Sequence, residues 1–318
     1  MSLRRLWHRL STTRNDRRLQ AIKSEVFALH RQSSALLQLV GGQEARRVRA
    51  LPDLCPLDEA EFKVYSQFGQ DGILQYLFSR LPAISPAFIE FGVEDYSEAT
   101  TRFLLLHDHF RGLVMDGRPD LAKVVADQGL PMMHRLEAVS AFITAENINE
   151  LITRAGFAGE VGLLAVDIDG NDYWVWKAIT CIRPQIVVVE YNAVFGPHAA
   201  VTVPYAADFT RRSAHPSWLY FGASLRALCG LAEEKGYAFV GCNSAGNDAF
   251  FVREDLAGRC PRPTPEAGFR DSQFRESRDE RGRMNLLTGR DRLAAIAHLP
   301  VLDLAEGRLR PLGEVAKP

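Results

Sequence analysis

Short apolar runs alternate with helical patterns from Phe62 onward, and the last two runs are separated only by Asn243-Ser244-Ala245-Gly246-Asn247-Asp248. Candidate strands fall at residues 87–91, 113–116, 138–142, 162–169, 186–191, 238–241 and 249–252. Between the first five lie helical patterns at 98–107, 121–128, 145–155 and 173–179. Strand-helix alternation of this kind builds right-handed βαβ units and a parallel sheet. A longer polar stretch, 196–217, and a helix over 222–235 follow. The closing six-residue turn then makes the last two strands an antiparallel hairpin. The expected fold is α/β: a Rossmann-like, seven-stranded, mainly parallel sheet with a C-terminal antiparallel hairpin, preceded by a helical arm.

The arm is read from periodicity and charge. Leu3, Leu6, Trp7 and Leu10 recur at helical spacing among Arg4, Arg5, His8, Arg9 and Arg14, which is a basic amphipathic pattern. Residues 1–50 hold eleven Lys/Arg against three Asp/Glu, so a chain of formal net charge -1 is basic at this end and acidic elsewhere. Such a helix can lie on an anionic membrane surface through residues 1–20, or pack or fray as a terminal helix. A second helical pattern carries Ile22, Val26, Leu29, Leu36 and Val40, with Gly41-Gly42 as its expected stop. The division expected is an arm at 1–60, an α/β domain at 61–257 and a charged C-terminal extension at 258–318. That extension contains the block Phe274-Arg275-Glu276-Ser277-Arg278-Asp279, a short helix near 293–296 and a strand near 299–304.

A composition of 47% hydrophobic and 24% charged residues suits a globular protein with a sizeable core. The five cysteines are odd in number, widely spaced and without a CxxC pair, which argues against a disulfide framework or a zinc site. No bilayer-spanning run or signal peptide is recognisable, so a cytoplasmic location, with membrane contact only at the periphery, is the expectation.

Carboxylates gather where an open α/β sheet binds ligands, at the carboxyl ends of its strands. The first strand ends in Glu90-Phe91-Gly92-Val93-Glu94-Asp95, and the second in Asp116-Gly117. The spacing G-x-G-x-x-G is absent, which argues against NAD and FAD. Asp116 stands where an acidic residue can bond both hydroxyls of a ribose. The fourth run, Leu163 to Asp172, delivers Asp167, Asp169 and Asp172 together. It admits a haloacid-dehalogenase type of phosphohydrolase, with Asp167 as nucleophile and Asp169 as acid/base, or the fourth strand of a nucleoside-binding sheet. An EF-hand is excluded, because Gly170 stands at the fourth position of the loop rather than the sixth. Glu190 closes the fifth strand and can join Asp167 and Asp169 as a divalent-metal ligand, while His198 is a candidate general base. Asp172 can also simply cap the helix that follows it.

The succession Ser66-Gln67-Phe68-Gly69-Gln70-Asp71-Gly72, Phe88 to Asp95, Gly112 to Asp116, Asp167 to Asp172 and Ile186 to Tyr191 resembles the FkbM-like branch of class I S-adenosylmethionine-dependent methyltransferases, over roughly residues 62–255. The chain departs from that family's commoner first motif in having Asp95-Tyr96-Ser97, and from its usual fourth-strand motif in having Asp169-Gly170-Asn171-Asp172. The resemblance implies that Glu90 and Gly92 border the methionine part of the cofactor, Asp116 holds the ribose, Ser140 touches adenine and Asp167 lines the pocket. It further implies that Gln67, Gln70 and Asp71 cap cofactor or substrate. The reaction implied is methylation of an oxygen acceptor, a sugar, glycan precursor or other small hydroxylated metabolite. Asp169, Asp172, Glu190 and His198 are candidates for removing its proton, with or without Mg²⁺. No nucleic-acid partner is expected. The phosphohydrolase and a non-catalytic binding module of the same fold are the alternatives.

Overall fold

The computed structural model describes residues 3–316, except the side chains of 3–17, 23, 27, 30 and 31. The face formed by Leu3, Leu6, Trp7 and Leu10 lies outside the described side chains. The chain divides into two compact units, residues 1–44 and 45–318. One helix, Leu3–Arg49, runs through Gly41-Gly42, where a stop was expected. Two glycines cost a helix about 1 kcal/mol each and do not by themselves end it. Arg46, Arg47 and Arg49 in its last turn favour the negative end of the helix dipole, and Ala45 and Val48 are buried in the second unit. Leu19, Ile22, Val26, Leu29, Leu36 and Val40 are exposed. Among the described residues no helix is long and apolar enough to cross a membrane.

The second unit is built on the seven-stranded sheet. In chain order its strands are β1 (Ala87–Phe91), β2 (Arg111–Asp116), β3 (Leu136–Ser140), β4 (Gly159–Val166) and β5 (Ile182–Glu190), followed, after the two-residue β6 (Val201–Thr202) of a second sheet, by β7 (Tyr237–Cys242) and β8 (Asp248–Arg253). Their spatial order is β3-β2-β1-β4-β5-β8-β7. The first five run parallel, and β8 enters antiparallel between β5 and β7. This is the sheet expected, and it is of the class I methyltransferase type. Alternation along each strand feeds two cores: Phe88 and Leu163 face one side of the sheet with Leu74 and Leu77, while Ile89 and Leu164 face the other with Trp176 and Phe251. Removing any one of these large buried side chains costs about 2–5 kcal/mol.

The register aligns the acidic strand ends. Phe91 lies beside Met115 and Val166, Val166 beside Val189, Asp116 beside Ser140, and Glu190 beside Asp248. The fourth strand stops at Val166, three residues before the expected end, so Asp167 and Asp169 belong to the turn that follows it.

Two features were not foreseen. The helix Gln70–Arg80 precedes β1 and is buried almost all round, so its sequence lacks the one-sided periodicity that marks a surface helix. A second sheet joins β6 to β9 (Pro300–Asp303) and β10 (Arg308–Pro311). Ile296, Val301 and Leu312 are buried with Phe195, Val201 and Leu219, so residues 258–318 are part of the same compact unit rather than an appended extension.

Candidate active site

A cavity of about 720 Å³ opens at the carboxyl edge of the sheet, within the size range of small-molecule sites. Glu90, Gly92, Asp116, Asp167, Asp169, Glu190 and Asp248 line it, with Gln67 and Gln70 at the side nearest the preceding helix. Sequence reading therefore brought most of its chosen residues to one place.

Glu90 is buried and accepts the N–H groups of Thr100 and Thr101 and the Thr101 hydroxyl. Burial nonetheless pushes its carboxyl up to about 7. Asp116 is half-buried; its Oδ2 accepts the Glu94 N–H at 2.8 Å and its Oδ1 accepts the Arg118 N–H at 2.8 Å. Each of its oxygens keeps a lone pair for a hydroxyl. Gly92 has φ +76, and a Cβ there would fall 1.5 Å from the carbonyl oxygen of Asp167. It is glycine because the ends of β1 and β4 touch, not because a ligand needs the space.

At the centre, ligand oxygens of Asp167, Asp169 and Glu190 lie within 4.8 Å of one another. Asp167 and Asp169 are exposed to the cavity and Glu190 is half-buried. Desolvation, then the charges of Asp169, Asp172 and Asp248, hold the Asp167 carboxyl well above the usual range, against a hydrogen bond to Glu190. Glu190 is raised by desolvation and then by Asp167, and its Oε2 is buried without a partner. Asp169, at φ +54, gives an oxygen to Arg211 Nη1 at 2.8 Å.

Four chosen residues do not line the cavity. Asp71 is buried and its Oδ2 accepts the N–H groups of Val64, Tyr65 and Ser66, so it shapes the preceding loop. Asp172 is buried and accepts the N–H groups of Ile168 and Gly170, closing the turn after β4. Burial pushes its carboxyl up to about 6. The residue before it, Asn171, occupies the helix cap. Ser140 is exposed at the end of β3, and Phe142 and Ile143 from the next loop reach the cavity instead. His198 is exposed and away from the carboxylates that it would have to serve.

Sequence reading missed Asp248, whose carboxyl burial pushes up to about 6 and which accepts from Gln70 and Asn243. It also missed the wall formed by Phe209, Arg211, Arg212, Trp218, Arg278 and Arg292. The charged block around Arg278 was visible, but nothing local in the sequence signals that it folds back over the sheet.

Fold and site together define a class I methyltransferase type of sheet with an acidic cavity at its carboxyl edge. No protein-family model and no curated protein matches the chain. Among solved structures it is similar to the CurJ carbon methyltransferase (10% identity, 58% of this chain and 52% of that one, TM-score 0.38). It is also similar to an O-methyltransferase family protein from Burkholderia thailandensis (14%, 64% and 59%, TM-score 0.33). A third is human N-acetylserotonin methyltransferase in complex with S-adenosylmethionine (10%, 58% and 56%, TM-score 0.32). The chain spans between 52% and 59% of the length of these three. The strand order, not these partial likenesses, carries the fold assignment.

Proposed function

We propose that the protein is an S-adenosylmethionine-dependent methyltransferase acting on an oxygen acceptor, of the FkbM-like kind. The observation that carries this reading is the register: Asp116 at the end of β2 and the Asp167/Glu190 pair at the ends of β4 and β5 open into one cavity. The donor set fits the cofactor. Asp116 would hold the ribose hydroxyls, and Glu90, Asp167, Glu190 and Asp248 form an acidic surround for a ligand that carries a sulfonium and an ammonium. When bound, the cofactor supplies an electrophilic methyl group for in-line displacement.

The chain's own task is to orient the acceptor and take its proton. Glu190 suits that task best. It lies in the cavity, its Oε2 is unpartnered, and burial, with Asp167 beside it, makes its carboxyl more basic than an ordinary carboxylate. Asp169 is engaged by Arg211, Asp172 by two backbone N–H groups, and His198 stands outside. Asp167, Asp169 and Glu190 would also be the residues to hold Mg²⁺, whose charge would draw a proton from the acceptor hydroxyl. The phosphohydrolase reading is weaker, because it needs Asp167 as an ionised nucleophile and its carboxyl is held well above the usual range. An acceptor of sugar type remains part of the proposal.

The test is transfer of labelled methyl from S-adenosylmethionine to a panel of hydroxylated metabolites, with and without EDTA. Glu190→Gln should lower kcat by about 10²–10⁴-fold with cofactor binding retained. A kcat unchanged by that substitution would remove Glu190 from the proton transfer, and activity lost in EDTA and restored by Mg²⁺ would establish the metal.

A further inference from the structure

Arg292 lines the cavity, is only 8% exposed, and forms no side-chain hydrogen bond or ion pair among the described residues. Its Nε is buried without a partner. The charges acting on it are Asp271, which attracts it, and Arg211, which repels it. An unpaired buried cation is destabilising, and a second cation nearby makes it more so. A long side chain that merely filled space would bury its stem and leave its whole head in water; here the Nε–H of the head is buried too.

The same wall holds two more guanidinium groups. Arg278 stacks 3.9 Å over the Trp218 ring and donates to Glu276 at 2.7 Å and to the Gly282 carbonyl at 3.1 Å, yet its Nε is also buried and unpartnered. Arg211 is fixed by Asp169, by the Trp218 carbonyl and by the Phe221 ring at 4.4 Å. Through Asp169 this wall is tied to the turn after β4. Asp116 lies at the end of β2, on the far side of β1 in the sheet order. The wall therefore stands on the acceptor's side of the cavity, and its charge is the wrong sign for a sulfonium.

We infer that Arg292 and Arg278 form an oxyanion subsite and that the acceptor carries a phosphate or a carboxylate. Guanidinium groups hold both anions through paired N–H donors, and an anion in the cavity would give Arg292 the negative partner that it lacks. The inference deepens the methyltransferase reading and rests on it for the word acceptor. The subsite itself stands on the unpaired arginines.

The test uses the full chain and three probes: inorganic phosphate, acetate, and S-adenosylhomocysteine. Binding is read as thermal shift and by calorimetry, against chloride at matched ionic strength, in wild type, Arg292→Met and Arg278→Met. Phosphate or acetate should stabilise the wild type, and whichever does so more strongly names the anion. Arg292→Met should weaken that anion by about tenfold or more while S-adenosylhomocysteine binds as before. In chloride Arg292→Met should melt no lower than wild type, because the change removes an uncompensated charge. Should that variant fail to fold, Arg278→Met, at a residue only partly buried, carries the same anion test. Equal anion effects in wild type and variants would overturn the subsite. Loss of S-adenosylhomocysteine binding in Arg292→Met would also overturn it, since the arginine would then serve the cofactor's own carboxylate. Failure of wild type to bind S-adenosylhomocysteine would instead overturn the methyltransferase reading and leave the anion result standing.

Discussion

Asp167 and Glu190 meet at the carboxyl ends of two adjacent parallel strands, one residue beyond the paired Val166 and Val189; burial raises both carboxyls, and Asp167 raises Glu190 further while the hydrogen bond from Glu190 partly offsets the rise at Asp167. A carboxyl pair held above the usual range couples ligand charge to pH. A cationic ligand favours the ionised pair, so binding expels protons from it. The affinity for S-adenosylmethionine should rise with pH, with proton release measurable by calorimetry in buffers of different ionisation enthalpy. Asp167→Asn should flatten this dependence. Uptake of protons on binding would contradict the charge state described.

The buried acids also set the stability profile. Burial pushes the carboxyls of Glu90 and Asp248 up to about 7 and about 6 in the folded state, above ordinary carboxylates. The folded state therefore binds more protons between the ordinary and the raised values, and the stability these groups give at low pH is lost as pH rises through about 4 to 7. Urea denaturation at pH steps across this window should show the decline. Glu90→Gln should reduce it, by an amount on the order of 3 kcal/mol at most.

Asp172 holds the turn after β4 rather than a substrate. Replacing it with Ala leaves the Ile168 and Gly170 N–H groups without their acceptor and should cost about 1–3 kcal/mol. Asp172→Asn keeps one acceptor oxygen and should keep more of the stability, with the pH-rate profile unmoved. A profile displaced in Asp172→Asn while the melting temperature holds would return Asp172 to the chemistry.

Gly92→Ala forces a Cβ to within 1.5 Å of the Asp167 carbonyl oxygen at φ +76. The contact between β1 and β4 must then open, which should destabilise the unit by more than about 3 kcal/mol and misplace Asp167. Circular dichroism melting of the variant checks this; a melt like that of the wild type would show that the two strand ends can part freely.

The sheet was legible because its pattern is local. Alternation, strand-end carboxylates and the Asn243 to Asp248 turn each sit within a few residues, and they located Glu90, Asp116, Asp167 and Glu190 at one edge. What escaped had no local signature. Gln70–Arg80 is buried on all sides and shows no helical stripe. Arg292 belongs to the segment that β9 ties to β6, a pairing of residues about a hundred positions apart. Asp71 and Asp172 were expected at the ligand and instead shape the loops around them, because a carboxylate that accepts backbone N–H groups looks in sequence like one awaiting a ligand.

The central claim is that Asp116 and the acidic cavity bind S-adenosylmethionine. Calorimetry with S-adenosylmethionine and S-adenosylhomocysteine tests it most directly, in wild type and in Asp116→Ala. The account predicts one-to-one binding of both by the wild type and a loss of at least about tenfold in the variant, as a hydrogen-bonded charged acceptor is removed. No binding of either compound by the wild type, or equal binding by the variant, would contradict it.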